Sequence, residues 1–186
     1  MNTTPMASRS IELLPLPFDR SWGLPELESA LRSRNIPIPV GPTWDCLRPA
    51  IEQTAALLSA NPRRAPWGSY LMVDEAARQV VGICAFKDAP VGGRVEIAYY
   101  TFPPHEGKGF ATAAVVQLTE IAESSPEVQT VVARTLMEPN ASTRVLTKCG
   151  FSLAGEVLDP EDGPVWQWEK IANHHSQQDP SETVHV

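Results

Sequence analysis

The stretch VEIAYYTFPPHEGKGFATAAV, residues 95–115, changes character twice along its length. Its first seven residues are mostly β-branched and aromatic, which favours a strand. Two prolines and two glycines within residues 102–109 then interrupt regular structure. Helix-forming residues return at Phe110, and one helical face is apolar through Ala114, Val115, Leu118, Ile121 and Ala122. The stretch therefore predicts a strand, a glycine-rich turn and a helix in direct succession.

The turn EGKGFAT, residues 106–112, has the features of an anion site. The first N–H groups of a helix have no partner within the helix and lie at its positive end. Gly107 and Gly109 carry no Cβ, so phosphate oxygens can approach the backbone closely. Ala111 is small, Lys108 adds positive charge and Thr112 adds a hydroxyl. The turn lacks the spacing of a P-loop and the third glycine of a dinucleotide fingerprint, and a plain helix-start turn is the alternative.

Strand and helix patterns alternate through the rest of the chain. Thr43 is the expected N-cap of a helix that carries Trp44, Leu47 and Ile51 on one face. Asn140 is the expected N-cap of a short helix that Gly150 ends. The remaining elements are predicted as strands at 11–18, 67–74, 79–87, 128–135, 151–158 and 164–170, and a helix at 24–34.

Composition sets limits on the class of protein. The 186 residues carry a formal net charge of −7, which disfavours binding to nucleic-acid backbones and is compatible with a cationic acceptor. Neither a membrane-spanning run nor a signal peptide is evident, so we expect a cytoplasmic protein. Cys46, Cys84 and Cys149 have no metal-ligand spacing, so no metal site is expected. We expect one domain over residues 1–172 and a disordered polar tail over 173–186. Oligomeric state has no signature in the sequence.

Two motifs together resemble the GCN5-related N-acetyltransferase (GNAT) superfamily, most closely the branch that includes ribosomal-protein N-terminal acetyltransferases. The resemblance covers roughly residues 67–170 and rests on the glycine turn followed by EPNASTRVLTKCGF, residues 138–151. The matching positions are Gly107, Gly109, Ala111, Thr112, Asn140, Ser142, Lys148, Gly150 and Phe151. Glu106 departs from the family pattern, because glutamine or arginine is usual there and a carboxylate beside a diphosphate is unfavourable unless it points away.

The resemblance implies an α/β fold with a mixed, mostly antiparallel sheet, flanking helices and a splayed strand pair at the coenzyme site. Acetyl-CoA would be the acetyl donor. Its pantetheine arm would pair with the backbone of Tyr99, Tyr100 and Thr101, and Asn140 would bond the arm or orient a water. Its diphosphate would lie on the turn, at Gly107, Lys108, Gly109, Phe110, Ala111 and Thr112.

Acetyl transfer to an amine needs a base, since a primary amine is mostly protonated at neutral pH. Glu96 is the best candidate, because it is the lone carboxylate in an apolar strand run where partial burial would favour proton uptake. Strand alternation places it on one face with Ala98 and Tyr100; a solvent-facing Glu96 is the alternative. Family members often carry a tyrosine acid where Leu146 stands here. Ser142 is the substitute, and His105, expected as a solvated loop residue, is a second proton carrier.

The expected activity is therefore acetyl transfer from acetyl-CoA to a primary amine on a protein N-terminus, a lysine or a small molecule. The early helices and the last strand pair would form the acceptor groove in such a fold, and the sequence does not identify the acceptor. Two alternatives stay open at this point: a non-catalytic acyl-CoA sensor or interaction module on the same fold, and a nucleotide-binding domain.

Overall fold

The computed structural model describes residues 9–16, 23–60, 65–160 and 162–174, without the side chains of 56–60. Within these ranges seven strands form one sheet in the order β1-β2-β3-β4-β5-β7-β6. The strands are β1 Ile11–Pro15, β2 Ser69–Asp74, β3 Gln79–Phe86, β4 Arg94–Thr101, β5 Thr130–Thr135, β6 Ser152–Asp159 and β7 Gly163–Ile171. The helices are α1 Leu24–Ser33, α2 Pro42–Ala60, α3 Phe110–Glu123 and α4 Ala141–Lys148.

The sheet is mixed and mostly antiparallel, as predicted, and β4 with β5 is the parallel pair. One apolar cluster contains α3, α4 and the residues of the sheet that face them. A second cluster joins α1 and α2 to the opposite face of the first three strands. The alternation along β2 shows this division: Met72 belongs to the first cluster, whereas Leu71 and Val73 belong to the second. The sheet is thus flanked by helices on both faces.

Most predicted elements occur within a few residues of their predicted bounds. Asn140 caps α4 through a hydrogen bond from the Thr143 N–H to its side-chain oxygen (3.0 Å), and Gly150 follows the helix at φ +82°. Thr43 is not an N-cap, because α2 begins one residue earlier, at Pro42. Proline suits a first helical position, since its fixed φ is already helical and its missing N–H would be unpaired there.

The ends of the predicted elements lie partly outside the described residues. This applies to the end of the first predicted strand, at 17 and 18, and to the predicted tail from residue 175 onward. Asn173 and His174, the first two residues of that tail, are hydrogen-bonded to Glu123 at the end of α3. No helix in the described ranges has the length and apolarity that a membrane span needs.

The feature of the fold that positions the site is the separation of β4 from β5. The two strands pair only from Arg94 opposite Thr130 to Ile97 opposite Ala133. β4 then continues to Thr101 and β5 to Thr135 without pairing to each other, while β3 still pairs with β4 as far as Thr101. One edge of β4 is therefore left open in the middle of the sheet, which confirms the predicted splayed pair.

Candidate active site

The glycine turn leads into an α3 N-terminus that no side chain caps. Gly109 is the N-cap residue, at φ +91° and ψ 0° in the left-handed region, and Gly107 has φ +70°. The first helical bond joins the Ala113 N–H to the Gly109 carbonyl (3.1 Å). Within the described chain, the N–H groups of residues 107–112 therefore have no main-chain acceptor. A bare turn with free donors fits a bound diphosphate.

A cavity of about 510 Å³ opens beside this helix end. Three cationic side chains line it, Arg9, Lys108 and Lys148, together with Thr112 and the single carboxylate Glu120. The Lys108 ammonium also donates to the Pro104 carbonyl (2.9 Å), which holds it beside the turn. An excess of positive charge is the complement that a phosphorylated coenzyme needs. Arg9 was not predicted, because it lies just before β1, about a hundred residues away from the turn along the chain.

Glu106, the departure from the family pattern, is exposed and is not among the residues that line this cavity. Its charge instead contributes to raising the pKa of Tyr100, behind burial and the nearby Cys46. The carboxylate therefore points away from the helix end, which removes its conflict with an anion there.

Phe110, within the turn, and His105, just before it, are both buried. Phe110 is almost fully buried, so it offers an anion its N–H and not its side chain, while the Arg9 guanidinium lies 5.5 Å from its ring centre. His105 was expected as a solvated loop residue but is 8% exposed. Its Nε2 lies 3.3 Å from the Thr43 hydroxyl, which links the turn to α2. Burial, reinforced by Lys108 and opposed by Asp74, lowers the pKa of His105.

The open edge of β4 presents backbone groups to the space before β5. The main-chain carbonyl of Glu96 accepts a hydrogen bond from the Lys87 N–H, and the Phe102 N–H donates to the Val81 carbonyl. The main-chain groups of even-numbered residues in β4 therefore point towards β3. Because these groups alternate sides along a strand, those of Tyr99 and Thr101 point towards β5. The Tyr100 carbonyl, by contrast, would lie 2.4 Å from a Cβ added to Gly82 of β3. Tyr100 therefore brings its exposed ring, and not its backbone, to the site.

We call the cavity between the separated strands the slot; it measures about 330 Å³ and is lined by Glu96–Tyr99, Arg134–Leu136, Asn140 and Ser142, with Lys87, Asp162 and Val165. Asn140 uses its side-chain oxygen to cap α4 and is one of the residues that line the slot. The Tyr99 hydroxyl donates to the Ser142 carbonyl (3.2 Å), and burial raises the pKa of Tyr99. A tyrosine hydroxyl thus reaches the first turn of α4 from β4, while Leu146 is buried in the core.

Glu96 does not stand alone in three dimensions. Its Oε1 lies 3.2 Å from the Lys87 ammonium and its Oε2 lies 3.3 Å from Arg134 Nη1. The same Arg134 nitrogen lies 2.7 Å from Asp159, which is 4% exposed. The Oε1 atom is buried and accepts no hydrogen bond from any described residue, because Lys87 is outside hydrogen-bond geometry. Lys87, Arg134 and Asp159 were not predicted, since three different elements bring them to Glu96.

A second cavity, which we call the groove, lies beside the slot and shares four lining residues with it: Lys87, Ala98, Tyr99 and Arg134. It has a volume of about 550 Å³. Its walls are α2 residues Ala50, Gln53 and Thr54, β2 residue Ser69, residues 83–87, Tyr100 and the end of β6 at Asp159 and Pro160. It lies beside the open edge of β4, because Ala98, Tyr99 and Tyr100 are among its lining residues. The described residues contain no group of three or more histidine, cysteine, aspartate or glutamate side chains arranged to hold a metal ion.

Comparison with known proteins connects this geometry to a family. A family model described as "Acetyltransferase (GNAT) domain" matches residues 24–152. The chain belongs to the GNAT family. It is accordingly an acetyl-CoA-dependent N-acetyltransferase. No curated protein sequence matches the chain significantly.

Solved GNAT structures share the fold at low sequence identity. One is the RimL ribosomal L7/L12 α-N-protein acetyltransferase in complex with coenzyme A, with TM-score 0.57 and 16% identity over 88% of this chain and 99% of that one. The Salmonella typhimurium acetyl transferase that modifies the N-terminal serine of L7/L12 has a TM-score of 0.56 and 15% identity, over 87% of this chain and 100% of that one. The ribosomal-protein-S5-alanine acetyltransferase of Vibrio fischeri has a TM-score of 0.53 and 16% identity, over 74% of this chain and 78% of that one. At these identities the likeness extends to the fold alone.

Proposed function

We propose that this N-acetyltransferase acetylates a primary amine that carries little additional positive charge, such as the α-amino group of a protein N-terminus. The observation that carries the proposal is the meeting of slot and groove beside Glu96, because there an amine from one side can reach a thioester from the other. The names of two structural neighbours, an L7/L12 α-N-protein acetyltransferase and an enzyme that modifies the N-terminal serine of L7/L12, agree with this choice.

The turn and the open edge of β4 would hold acetyl-CoA as substrate. The free N–H groups of residues 107–112 would bind the diphosphate, with positive charge from Arg9, Lys108 and Lys148 around it. The main-chain groups of Tyr99 and Thr101 would pair with the pantetheine arm as an additional strand would. The amide nitrogen of Asn140 would donate to that arm or to a water.

Glu96 would serve as the base. Its Oε1 lies 3.2 Å from the Lys87 ammonium but accepts no hydrogen bond from a described residue, and it would take a proton from the incoming ammonium, directly or through water. The neutral amine then attacks the thioester carbonyl carbon; a C–N bond forms, the C–S bond breaks, and the second proton of the attacking nitrogen passes through a hydroxyl at the slot to the departing thiolate. Backbone N–H groups on the open edge of β4 would stabilise the oxyanion.

The proton for the departing thiolate would come from a hydroxyl at the slot. Ser142 lies there, as the family motif implies, and Tyr99 is a second donor. Burial raises the pKa of Tyr99, so its hydroxyl is protonated throughout the neutral range and cannot act as a base, and the same shift makes it a weaker acid. The variants Tyr99→Phe and Ser142→Ala distinguish these two candidate acids. The variant that lacks the acid should show a larger loss in kcat than in coenzyme affinity.

The charges of the groove support the choice of acceptor. Lys87, Arg134 and Asp159 are its charged lining residues, and the carboxylates of Asp159 and nearby Glu96 are already paired with the two cations. A polyamine or an aminoglycoside would bring several ammonium groups to a region where no described lining carboxylate is left for them. Neutral Gln53, Thr54 and Ser69 instead offer hydrogen bonds that suit a peptide backbone. The net charge of −7 is therefore a poor guide to the acceptor.

Release of free thiol from acetyl-CoA tests the proposal, with N-terminal peptides of neutral sequence, a lysine side-chain peptide, spermidine and an aminoglycoside as acceptors. We expect the N-terminal peptides to react fastest, and Glu96→Gln to lower kcat by about 10²-fold or more. Glu156→Gln, the same change at an exposed strand position, is the control and should have no effect. Preference for spermidine would contradict the acceptor assignment. Coenzyme binding without turnover of any amine would indicate a non-catalytic acyl-CoA-binding module.

A further inference from the structure

Four side chains form a charge cluster at the place where the slot meets the groove: Lys87, Glu96, Arg134 and Asp159. They come from the end of β3, from β4, from β5 and from the end of β6. Arg134 is the central member, because its Nη1 atom contacts Glu96 (3.3 Å) and Asp159 (2.7 Å) at once. Lys87 contacts the same two carboxylates at 3.2 and 3.9 Å, from an exposed and more mobile type of side chain.

The cluster keeps two like charges close together in a sheltered place. The Asp159 side chain is 3% exposed and that of Glu96 is 18% exposed, so water screens them poorly. Two carboxylates that share a site cannot both stay ionised unless a cation offsets their repulsion; otherwise one of them takes up a proton. A Glu96 that is already protonated cannot accept the proton of an ammonium group. Whatever holds both carboxylates ionised therefore determines whether Glu96 can work.

We propose that Arg134 is a positioning residue that keeps Glu96 ionised and directs it to the slot. This inference rests on the proposed role of Glu96 as the base. Arg134 is the first residue of β5 after its pairing with β4 ends at Ala133, so its guanidinium lies at the mouth of the opening that the separation creates. Arg134 lines both the slot and the groove. Its proposed role is to act through Glu96, and this role requires no contact between Arg134 and the reacting atoms.

Other charged groups lie around the cluster and are part of its electrostatics. Asp88 and Arg94 line an outer cavity together with Glu96 and Arg134. Asp162, in the β6–β7 connection, lines the slot, and its N–H donates to Asp159 (3.1 Å). Arg94 forms an ion pair with Glu169 on β7, so its guanidinium is paired with that carboxylate and not with Glu96. Arg94 is the one cation among these groups and pairs with Glu169, whereas Lys87 contacts both carboxylates and is the described side chain that could replace Arg134 in part.

The test is the ratio of variant to wild-type kcat/KM for a peptide acceptor, measured from pH 6 to pH 9. Taking the ratio removes the titration of the acceptor amine, which is common to all variants. We expect Arg134→Gln to lower kcat/KM by about 10- to 100-fold near neutral pH, with a deficit that shrinks as pH rises, because higher pH restores the ionised base. Arg134→Lys keeps the charge and should stay within about 5-fold of wild type.

A second substitution tests the electrostatic origin of the deficit. Asp159→Asn removes the competing carboxylate but keeps the oxygen that accepts from Asp162. Adding it to Arg134→Gln should recover most of the lost activity at neutral pH. Alone it should leave the acidic side of the profile unchanged or move it to lower pH. Arg78→Gln breaks a comparable guanidinium–carboxylate pair with Glu12 (3.1 Å), far from the site, and is the control.

The outcomes separate this inference from the proposed function. If Glu96→Gln has full activity at every pH, the proposed base is wrong and the role of Arg134 falls with it. If Glu96→Gln is slow but the Arg134→Gln deficit is the same at every pH, Glu96 stands and the positioning role is overturned. Should Arg134→Gln fail to fold, as judged by coenzyme A binding, the Asp159→Asn profile decides alone: a shift of its acidic side to higher pH would overturn the inference.

Discussion

Replacing Gly109 with alanine distinguishes a turn that binds coenzyme from one that only begins a helix. Gly109 has φ +91°, where a residue with a Cβ is strained by about 1–2 kcal/mol. The space itself is open, since the nearest atom to an added Cβ would be Arg9 Cγ at 4.0 Å. For a chain of this length such strain lowers Tm by about 2–8 °C.

The expected effect on coenzyme affinity is larger than this strain alone would produce. If the alanine variant relieves its strain by rotating out of the left-handed region, the N–H groups of the turn no longer point together. Loss of one hydrogen bond to a charged phosphate oxygen costs about 1.5–3 kcal/mol. That range corresponds to a rise of about 10- to 100-fold in the Kd for coenzyme A.

Gly150 provides the matched control. It has φ +82°, an added Cβ would meet no atom within 4 Å, and it follows α4 instead of preceding α3. Gly150→Ala should therefore lose similar stability and keep the wild-type Kd. Isothermal titration with coenzyme A and thermal unfolding of both variants make the comparison. Equal coenzyme affinity in the two alanine variants would refute the reasoning, whatever their Tm values.

Three further predictions concern other parts of the site. Gly82→Ala would place a Cβ 2.4 Å from the Tyr100 carbonyl, so we expect a loss of about 3 kcal/mol in the free energy of unfolding, measured by urea denaturation. The folded state lowers the pKa of His105, so as pH falls the unfolded chain takes up this proton at a higher pH than the folded chain does. The free energy of unfolding should therefore decrease as pH drops below about 6.5. His105→Gln should remove this part of the pH dependence when unfolding is compared at pH 5.5 and 7.5. Lys148→Gln should weaken coenzyme A binding by about 2- to 5-fold at low salt and less at high salt, as titration at two ionic strengths would show.

Local patterns predicted the elements well because their causes are local. The cap at Asn140 depends on a side chain and an N–H three residues apart, and the turn at Gly109 depends on one residue's φ. The error at Thr43 is also instructive: Pro42 already begins the helix, so the threonine hydroxyl was free to meet His105 instead. Strand alternation correctly placed Glu96, Ala98 and Tyr100 on one face.

The surroundings of the site could not be predicted in the same way. Arg134 and Asp159 reach Glu96 through the order of strands in the sheet, which no spacing in the chain encodes. The main-chain groups of Tyr99 point towards the open edge and those of Tyr100 point towards β3, a distinction that needs the pairing register. Arg9 lines the coenzyme cavity for the same reason, since β1 lies beside α3 only in the folded chain.

The central claim is that main-chain N–H groups at residues 107–112 and on the open edge of β4 hold coenzyme A. Backbone amide chemical shifts of the isotope-labelled protein, recorded during titration with coenzyme A, test it directly. The account predicts that the largest changes occur at Gly107–Thr112, Tyr99 and Thr101, with Gly150 little affected. Changes concentrated elsewhere, with these amides unmoved at saturation, would contradict it.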